Sequence, residues 1–307
     1  MKKARAVIER RDSRAARWAA RFAWFDTVLL LMAGLSHRYG LLETVPFLGV
    51  LLIGCLVAAT GLAFAFAGFA DLWERGDRGG RRALFAAIVC CILLSPFAVS
   101  AWRVLEHPQL SDVATDLADP PQFRTLADER PPLANRVGPI DAAAARMIRE
   151  GYPDLVGRRY PVSPDQVMAQ VMLLIADRGW TVAARHGVAE EPAPPAAEDE
   201  GGAAPPAEEA PAPTAEDAPP PPLPDAAEDQ PADALADGEA SIEVRAFSHW
   251  LRFPCDLVIR LTDEGESTFV DLRSASHFAR HDLGDNAARI RSFLADLDAR
   301  MDPGTED

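Results

Sequence analysis

Basic and apolar stretches alternate over the first hundred residues of the chain. Residues 1–21 carry eight Lys or Arg side chains, and an apolar run follows over residues 22–35, interrupted only by Asp26. Longer apolar runs occupy residues 45–70 and 83–104, and each is long enough to cross a bilayer core of about 30 Å. A basic start before a short apolar run is also typical of a signal peptide. The two later runs and the lack of a clear small-x-small cleavage site favour three transmembrane helices.

The distribution of Lys and Arg orients these helices. Basic side chains are frequent in residues 1–21 and in the loop after the second run, whereas the loop between the first two runs has only Arg38. The positive-inside rule therefore places the N-terminus and the second loop in the cytoplasm. Three spans then put the chain after about Leu105 outside, so we predict a multi-pass membrane protein with an extracytoplasmic domain.

The second run contains small residues at three- and four-residue spacings. This stripe consists of Gly54, Ala58, Gly61, Ala65 and Gly68. Small residues let helix backbones approach closely, so the stripe predicts packing within the bundle, with dimerisation as the alternative. Asp26 lies near the basic edge of its run, which favours a solvated residue over a transport pathway.

Residues 105–150 lack regular periodicity and are rich in Pro and Asp, which predicts an extended arm with a short helix at residues 141–149. Helical and strand patterns then alternate over residues 151–300. Ser163-Pro164-Asp165-Gln166 has the residue types of a capping box, and the apolar spacing after it predicts a helix that ends at Gly179. The arm therefore leads into a folded domain.

Four strands and a second helix follow that first helix. The strands are predicted at residues 180–185, from residue 241, at 251–261 and at 267–274, and the last two form a hairpin. The final helix covers about residues 282–300, with an apolar face at helical spacing. This order predicts an α+β domain with an antiparallel sheet and two packing helices.

A long acidic segment interrupts this domain. Residues 188–238 are almost entirely Ala, Pro, Glu and Asp, a composition that cannot bury a core. We predict a disordered insertion that acts as a spacer or a repulsive brush, and a short tail at residues 301–307. The insertion contributes 14 of the 15 net negative charges of the chain. The chain as a whole is a poor nucleic-acid binder, because phosphate contacts need a basic surface.

Polar side chains concentrate around the junction between the last strand and the last helix. They are Asp256, Arg273, Ser274, Ser276, His277, Asp282, Asn286 and Arg289. The favoured interpretation is a structural network, in which Arg273 pairs with Asp256 across the hairpin and Asn286 ties the loop to the helix start. The second is an anion site for a phosphate or carboxylate, although Asp282 and Asp285 at the helix start oppose an anion.

Catalytic chemistry is the third interpretation of this region. Cys255 with His277 or His281 could form a thiolate–imidazole pair, and Cys255, His277 and His281 together could ligate zinc. The two histidines fall in a predicted loop, and no fourth ligand lies at a suitable spacing. We therefore predict no catalytic residue, no metal and no cofactor. The other three cysteines lie in the apolar runs, so the domain has no internal disulfide.

Several segments resemble the bacterial domain of unknown function numbered 1499. They are Phe253-Pro-Cys-Asp-Leu-Val-Ile-Arg260, Val270-Asp-Leu-Arg-Ser-Ala-Ser-His-Phe-Ala279, Asp282-Leu-Gly-Asp-Asn-Ala-Ala-Arg-Ile290 and, in the arm, Ser111-Asp-Val-Ala-Thr-Asp-Leu-Ala-Asp-Pro-Pro-Gln-Phe123. The resemblance covers about residues 105–187 and 239–300 and implies a domain without a known activity. The chain departs from the family pattern at three positions, with Cys255 in place of Asp, His277 in place of Arg and Ala279 in place of Gly.

Together with the resemblance to a bacterial family, the sequence thus predicts a three-span protein of the bacterial inner membrane. Its α+β domain would lie in the periplasm and have a binding or assembly role in the cell envelope. Its expected partners are the lipid bilayer, envelope proteins or a small anionic ligand. One alternative is a hydrolase-like envelope enzyme that uses the polar cluster around Arg273–Asp282. Another is a membrane-bundle subunit of a larger complex, which would assemble through the small-residue stripe.

Overall fold

A computed structural model describes residues 11–187, 238–248 and 251–302. Its first part is a bundle of three helices, α1 (Arg14–Arg38), α2 (Thr44–Arg75) and α3 (Gly80–Glu106). Each helix is long and apolar enough to cross a membrane, as the apolar runs predicted. The predicted disordered insertion lies outside the described residues, apart from Gly238 at its end.

The small-residue stripe of α2 is used within the bundle. All five of its residues are buried. A Cβ atom at Gly61 would lie 2.9 Å from Cys90 Sγ on α3, and one at Gly68 would lie 3.1 Å from the backbone nitrogen of Ala16 on α1. These approaches are too close for a larger side chain, so the predicted packing within the bundle is confirmed.

Asp26 is fully buried in this bundle, and the prediction of a solvated residue was wrong. A Cβ atom at Gly54 would lie 3.2 Å from its Oδ1 atom. Because α1 begins at Arg14, well before the apolar run, Asp26 lies in the middle of the helix instead of at its edge. Neither carboxylate oxygen has a hydrogen-bond partner among the described residues.

A proline interrupts the hydrogen bonds of α3. Pro96 has no N–H, so the carbonyl oxygen of Ile92 loses its usual helical donor. The Ser95 hydroxyl donates to that oxygen at 2.7 Å. The side chain thereby satisfies a backbone group that would be costly to leave unpaired in a membrane.

The second part of the chain has the predicted α+β fold. Its elements in chain order are β1 (Asp112–Ala114), α4 (Thr125–Asp128), α5 (Ala142–Gly151), β2 (Arg158–Tyr160), α6 (Pro164–Asp177), β3 (Thr181–His186), β4 (Glu239–Phe247), β5 (Pro254–Asp263), β6 (Thr268–Ser276) and α7 (Asp285–Met301). The sheet is antiparallel in the order β1-β6-β5-β4-β3, and β2 also pairs with β6.

The two shortest strands, β1 and β2, were not predicted. β1 pairs with residues 273–275 and β2 with residues 268–270, so together they cover the outer edge of β6. Three residues are too few to show an alternating pattern, and such strands form only because an unpaired edge offers hydrogen bonds. The arm is therefore part of the sheet.

The two faces of the sheet are covered in different ways. One face packs against α6 and α7 in an apolar core that includes Val171, Leu257, Leu272, Ile290 and Phe293. The opposite face of β4, β5 and β6 carries charged side chains, and the arm between β1 and α5 lies over it. Both faces of β5 are consequently buried.

Local signals start the helices largely as predicted. Asp141 caps α5 by accepting a hydrogen bond from Ala144 N at 2.7 Å. Ser163 precedes α6, but its side chain makes no capping hydrogen bond, and its backbone carbonyl accepts from Gln166 N at 3.1 Å. The residue types marked that helix start correctly, although the capping box itself does not form.

The domain rests on one end of the bundle. The Phe253 ring lies 5.6 Å from the ring of His37 at the end of α1 and 5.9 Å from Phe47 at the start of α2. The His281 ring Nε2 lies 3.1 Å from the carbonyl oxygen of His107, which follows α3. All three helix ends on this side therefore contact the domain.

Candidate functional site

The predicted polar cluster is divided between the two faces of the sheet. Arg273 and Ser274 are neighbours on β6, so their side chains point to opposite faces. Asp256 and Arg273 lie on the face under the arm, whereas Ser274 and Ser276 lie on the face of α7. The cluster is therefore two separate groups with different surroundings.

Arg273 is the largest fully buried side chain among the described residues. Its Nε and Nη2 atoms donate to the two carboxylate oxygens of Asp112 at 3.0 and 2.7 Å. Further hydrogen bonds go to the carbonyl oxygens of Pro121 and Gly138, and the guanidinium lies 5.2 Å from the Phe123 ring centroid. Because its donors are engaged by the arm, Arg273 has no free face for an anion.

Asp256 is neutralised by the arm, and it does not form the predicted pair with Arg273. Arg130 Nε donates to Asp256 Oδ2 at 2.9 Å, and both side chains are almost fully buried. His277 Nε2 lies 2.9 Å from the same oxygen without hydrogen-bond alignment, and Arg245 Nε is 3.6 Å from the other oxygen. The pairing differs because each charge has a closer partner from outside the hairpin.

The same pattern continues across the sheet. Arg260 pairs with Asp119 of the arm at 2.7 Å and with Asp271 of β6 at 3.1 Å. The fully buried carboxylate of Glu243 on β4 accepts three backbone hydrogen bonds at the start of α4, from Arg124, Thr125 and Leu126. We call the five sheet residues under the arm the polar layer: Glu243, Asp256, Arg260, Asp271 and Arg273.

Burial shifts the titration of groups around the polar layer. It raises the pKa of Asp271 above its ordinary value, although Arg260 donates a hydrogen bond to the carboxylate. It lowers the pKa of Arg130, against the opposing effect of Asp256. Burial is thus the largest influence on the pKa of both groups, and the charged partner opposes it in each case.

The second group ties β6 to the start of α7. Asn286 is fully buried, and its Nδ2 donates to the Ser111 carbonyl at 3.0 Å and to Ser276 Oγ at 3.1 Å. Its Oδ1 accepts from Ser274 Oγ and from Arg289 Nη1, both at 2.9 Å. One amide thus connects the arm, the last strand and the last helix.

Asp282 stabilises the start of α7. Its carboxylate oxygens accept from the backbone N–H groups of Gly284 at 3.0 Å and Asn286 at 2.9 Å. Burial raises its pKa, while these two hydrogen bonds oppose the shift. Asp282 thus supports the helix from the preceding turn, while Gly284 occupies the N-cap position.

An open cavity lies beside the second group. It has a volume of about 660 Å³ and is formed between the ends of the membrane helices and the underside of the domain. Its walls are mainly apolar, and Ser276, Asp282 and Arg289 of the predicted cluster line it. No residue of the polar layer lines this cavity, whereas this part of the predicted cluster does.

The thiolate and zinc arrangements do not form among the described residues. Cys255 is buried, and burial raises the pKa of its thiol to about 11. His277 faces Asp256, and His281 directs Nε2 toward carbonyl oxygens and accepts from Leu283 N through Nδ1. No group of three or more potential metal ligands occurs in the described part of the chain.

The sequence analysis did not identify the residues that the arm contributes to this site. Asp112, Asp119 and Arg130 supply ion pairs to the polar layer, and none of them was singled out. The available signal was a charge balance: the strands carry cations and acids on one face, and the arm has several aspartates. Which arm residue meets which strand residue depends on the folded path of the arm.

These features define a membrane-anchored α+β module. The chain belongs to the family described as "Protein of unknown function (DUF1499)", whose model matches residues 112–297. The match begins at β1 and ends within α7, so the arm belongs to the family domain together with the sheet. No curated protein and no solved structure matches the chain.

Replacing Arg273 with Met should destabilise the folded domain. The change leaves Asp112 and two carbonyl oxygens of the arm without their donor, so we expect a loss of about 3 kcal/mol in the free energy of unfolding. Chemical denaturation of the full chain in detergent would measure it. Arg159→Met removes an exposed ion pair with Glu264 and should have little effect. Equal stability of the two variants would contradict a structural role for Arg273.

Ala279 offers a test in the opposite direction. Its φ of 69° lies in the left-handed region that favours glycine, the residue that the family resemblance leads us to expect there. Ala279→Gly should raise the free energy of unfolding by about 1 kcal/mol, because it removes backbone strain. The same substitution at the exposed helical Ala295 should lower it by about 1 kcal/mol. A loss of stability at both positions would argue against strain at Ala279.

Proposed function

We propose that this protein is an inner-membrane-anchored module whose α+β domain faces the periplasm and serves a binding or assembly role in the cell envelope. The observation that carries the proposal is the division of the polar cluster. Its most strongly charged members hold the arm on the sheet, and only its second group reaches an open cavity. That cavity has the form of a binding site, since it is concave and mainly apolar with a few convergent polar groups.

The hydrogen bonds around the cavity support binding over hydrolysis. Hydrolysis by a serine needs a hydroxyl that is hydrogen-bonded to a base. Ser276 Oγ instead accepts a hydrogen bond from the Asn286 amide. The nearby His281 has both ring nitrogens engaged by backbone groups. We therefore assign no catalytic role to the cluster.

The distribution of charge supports the proposed orientation. The domain contacts the end of α1, the start of α2 and the end of α3, so it lies at the end of the bundle opposite the basic first turns of α1, which contain Arg14, Arg17 and Arg21. Arg75, Arg78, Arg81 and Arg82 are close to the connection between α2 and α3, at the other end of the bundle. The positive-inside rule assigns that basic end to the cytoplasm.

Cysteine labelling in intact cells tests this orientation. Ala207→Cys in the acidic insertion should react with a membrane-impermeant maleimide, above the background of the unmodified chain. Glu74→Cys near the end of α2 should react only after the membrane is permeabilised. The reverse pattern, or protection of Ala207→Cys in intact cells, would contradict a periplasmic domain.

A further inference from the structure

The cavity beneath the domain opens toward the lipid-facing surface of the bundle. Leu31, Leu52 and Ile92 belong to its wall, yet 59%, 64% and 63% of their surfaces are exposed. These side chains are on three different helices. The apolar lining is therefore continuous with the surface that the helices present to acyl chains, and the cavity has a lateral entrance from the bilayer.

The part of the cavity wall that the domain contributes carries a cation without an acidic partner. Arg289 has no carboxylate within 4 Å among the described residues, and its Nη1 atom donates to the neutral oxygens Ser274 Oγ and Asn286 Oδ1. Other acidic residues in the wall are engaged elsewhere. Asp282 accepts two backbone N–H groups, and Asp285 lies 3.4 Å from Arg103 at the end of α3. Arg289 is thus the group available to a phosphate.

We propose that this cavity binds one phospholipid of the surrounding bilayer, with its phosphate at Arg289 and an acyl chain between the helix ends. The proposal deepens the binding role above by naming its ligand class. A small soluble anion would leave the apolar walls in contact with water, whereas a phospholipid matches both ends of the cavity. The volume of about 660 Å³ falls within the range of roughly 300–1,000 Å³ for small-molecule sites.

The charges near Arg289 favour a headgroup that is neutral overall. Arg289 contacts no carboxylate among the described residues, but Asp282 and Asp285 line the same cavity, so a headgroup with a net negative charge would be repelled by the two aspartates. A headgroup with a phosphate and an amine avoids this cost. Phosphatidylethanolamine is therefore the appropriate probe.

Gly34 provides a way to fill the cavity without disturbing the bundle. It lies in the wall on α1, and a Cβ atom there would have no neighbour within 4 Å. Leucine at this position would occupy space intended for an acyl chain and would also favour the helix. Gly49 on α2 is the matched control, because it is equally free of neighbours and lies outside the cavity wall.

Photo-crosslinking of the full-length protein in lipid nanodiscs tests the proposal. The nanodiscs would contain phosphatidylethanolamine with a photoreactive diazirine in one acyl chain, and adducts would be located by mass spectrometry. We expect adducts on Phe253 and Phe278, domain residues that face the cavity. Gly34→Leu should reduce these adducts roughly tenfold, the effect of excluding about two methylene groups. Gly49→Leu should leave them unchanged.

Arg289→Gln addresses the headgroup end separately. Loss of the charge should reduce the same adducts by roughly tenfold, while labelling of the outer helix surfaces stays constant. Thermal unfolding of each variant would identify a folding defect, and Gly34→Leu keeps the test decisive if Arg289→Gln fails to fold. Undiminished adducts in Gly34→Leu, or an equal decrease in Gly49→Leu, would overturn the lipid site. Neither result depends on the orientation of the domain, which cysteine labelling tests independently.

Discussion

Arg273 places a guanidinium on the sheet face opposite the packing helices, with only 1% of its surface exposed. A buried charge is tolerated only when it is paired and hydrogen-bonded, and Asp112 with two carbonyl oxygens of the arm meets that requirement. Arg130 pairs with the buried carboxylate of Asp256 in the same way, but with the charges reversed, because here the arm supplies the cation. The arm is therefore required for the charged face of this sheet to be stable.

This constraint also fixes the position of the domain on the membrane bundle. The arm begins directly after α3, and within a few residues it forms β1 against β6. Asn286 then joins the arm to the start of α7. His281, which lies just before α7, joins this part of the domain to the end of α3. The cavity arises between these attachments, because the domain is held at the helix ends without closing the space beneath it.

The elements whose apolar residues recur at a regular spacing could be predicted from the sequence. Apolar spacing indicated α6, α7 and the β5–β6 hairpin, because their cores require it. The partners of Arg273 and Asp256 could not be predicted, since they come from an irregular segment far away in the sequence. Strand alternation did contain the information that Arg273 and Ser274 face opposite ways, so the division of the cluster was accessible. The cavity was not, because it depends on how the domain rests on the helices.

A double-mutant cycle between Arg130 and Asp256 tests most directly whether the arm neutralises the sheet. Arg130→Met, Asp256→Leu and the double variant would be compared by chemical denaturation of the full chain. If the pair is a single buried unit, each single change leaves an unpaired charge, and the double variant recovers at least about 2 kcal/mol relative to the sum of the two. Additive losses within about 0.5 kcal/mol would contradict the account, because the arm and the sheet would then be energetically independent.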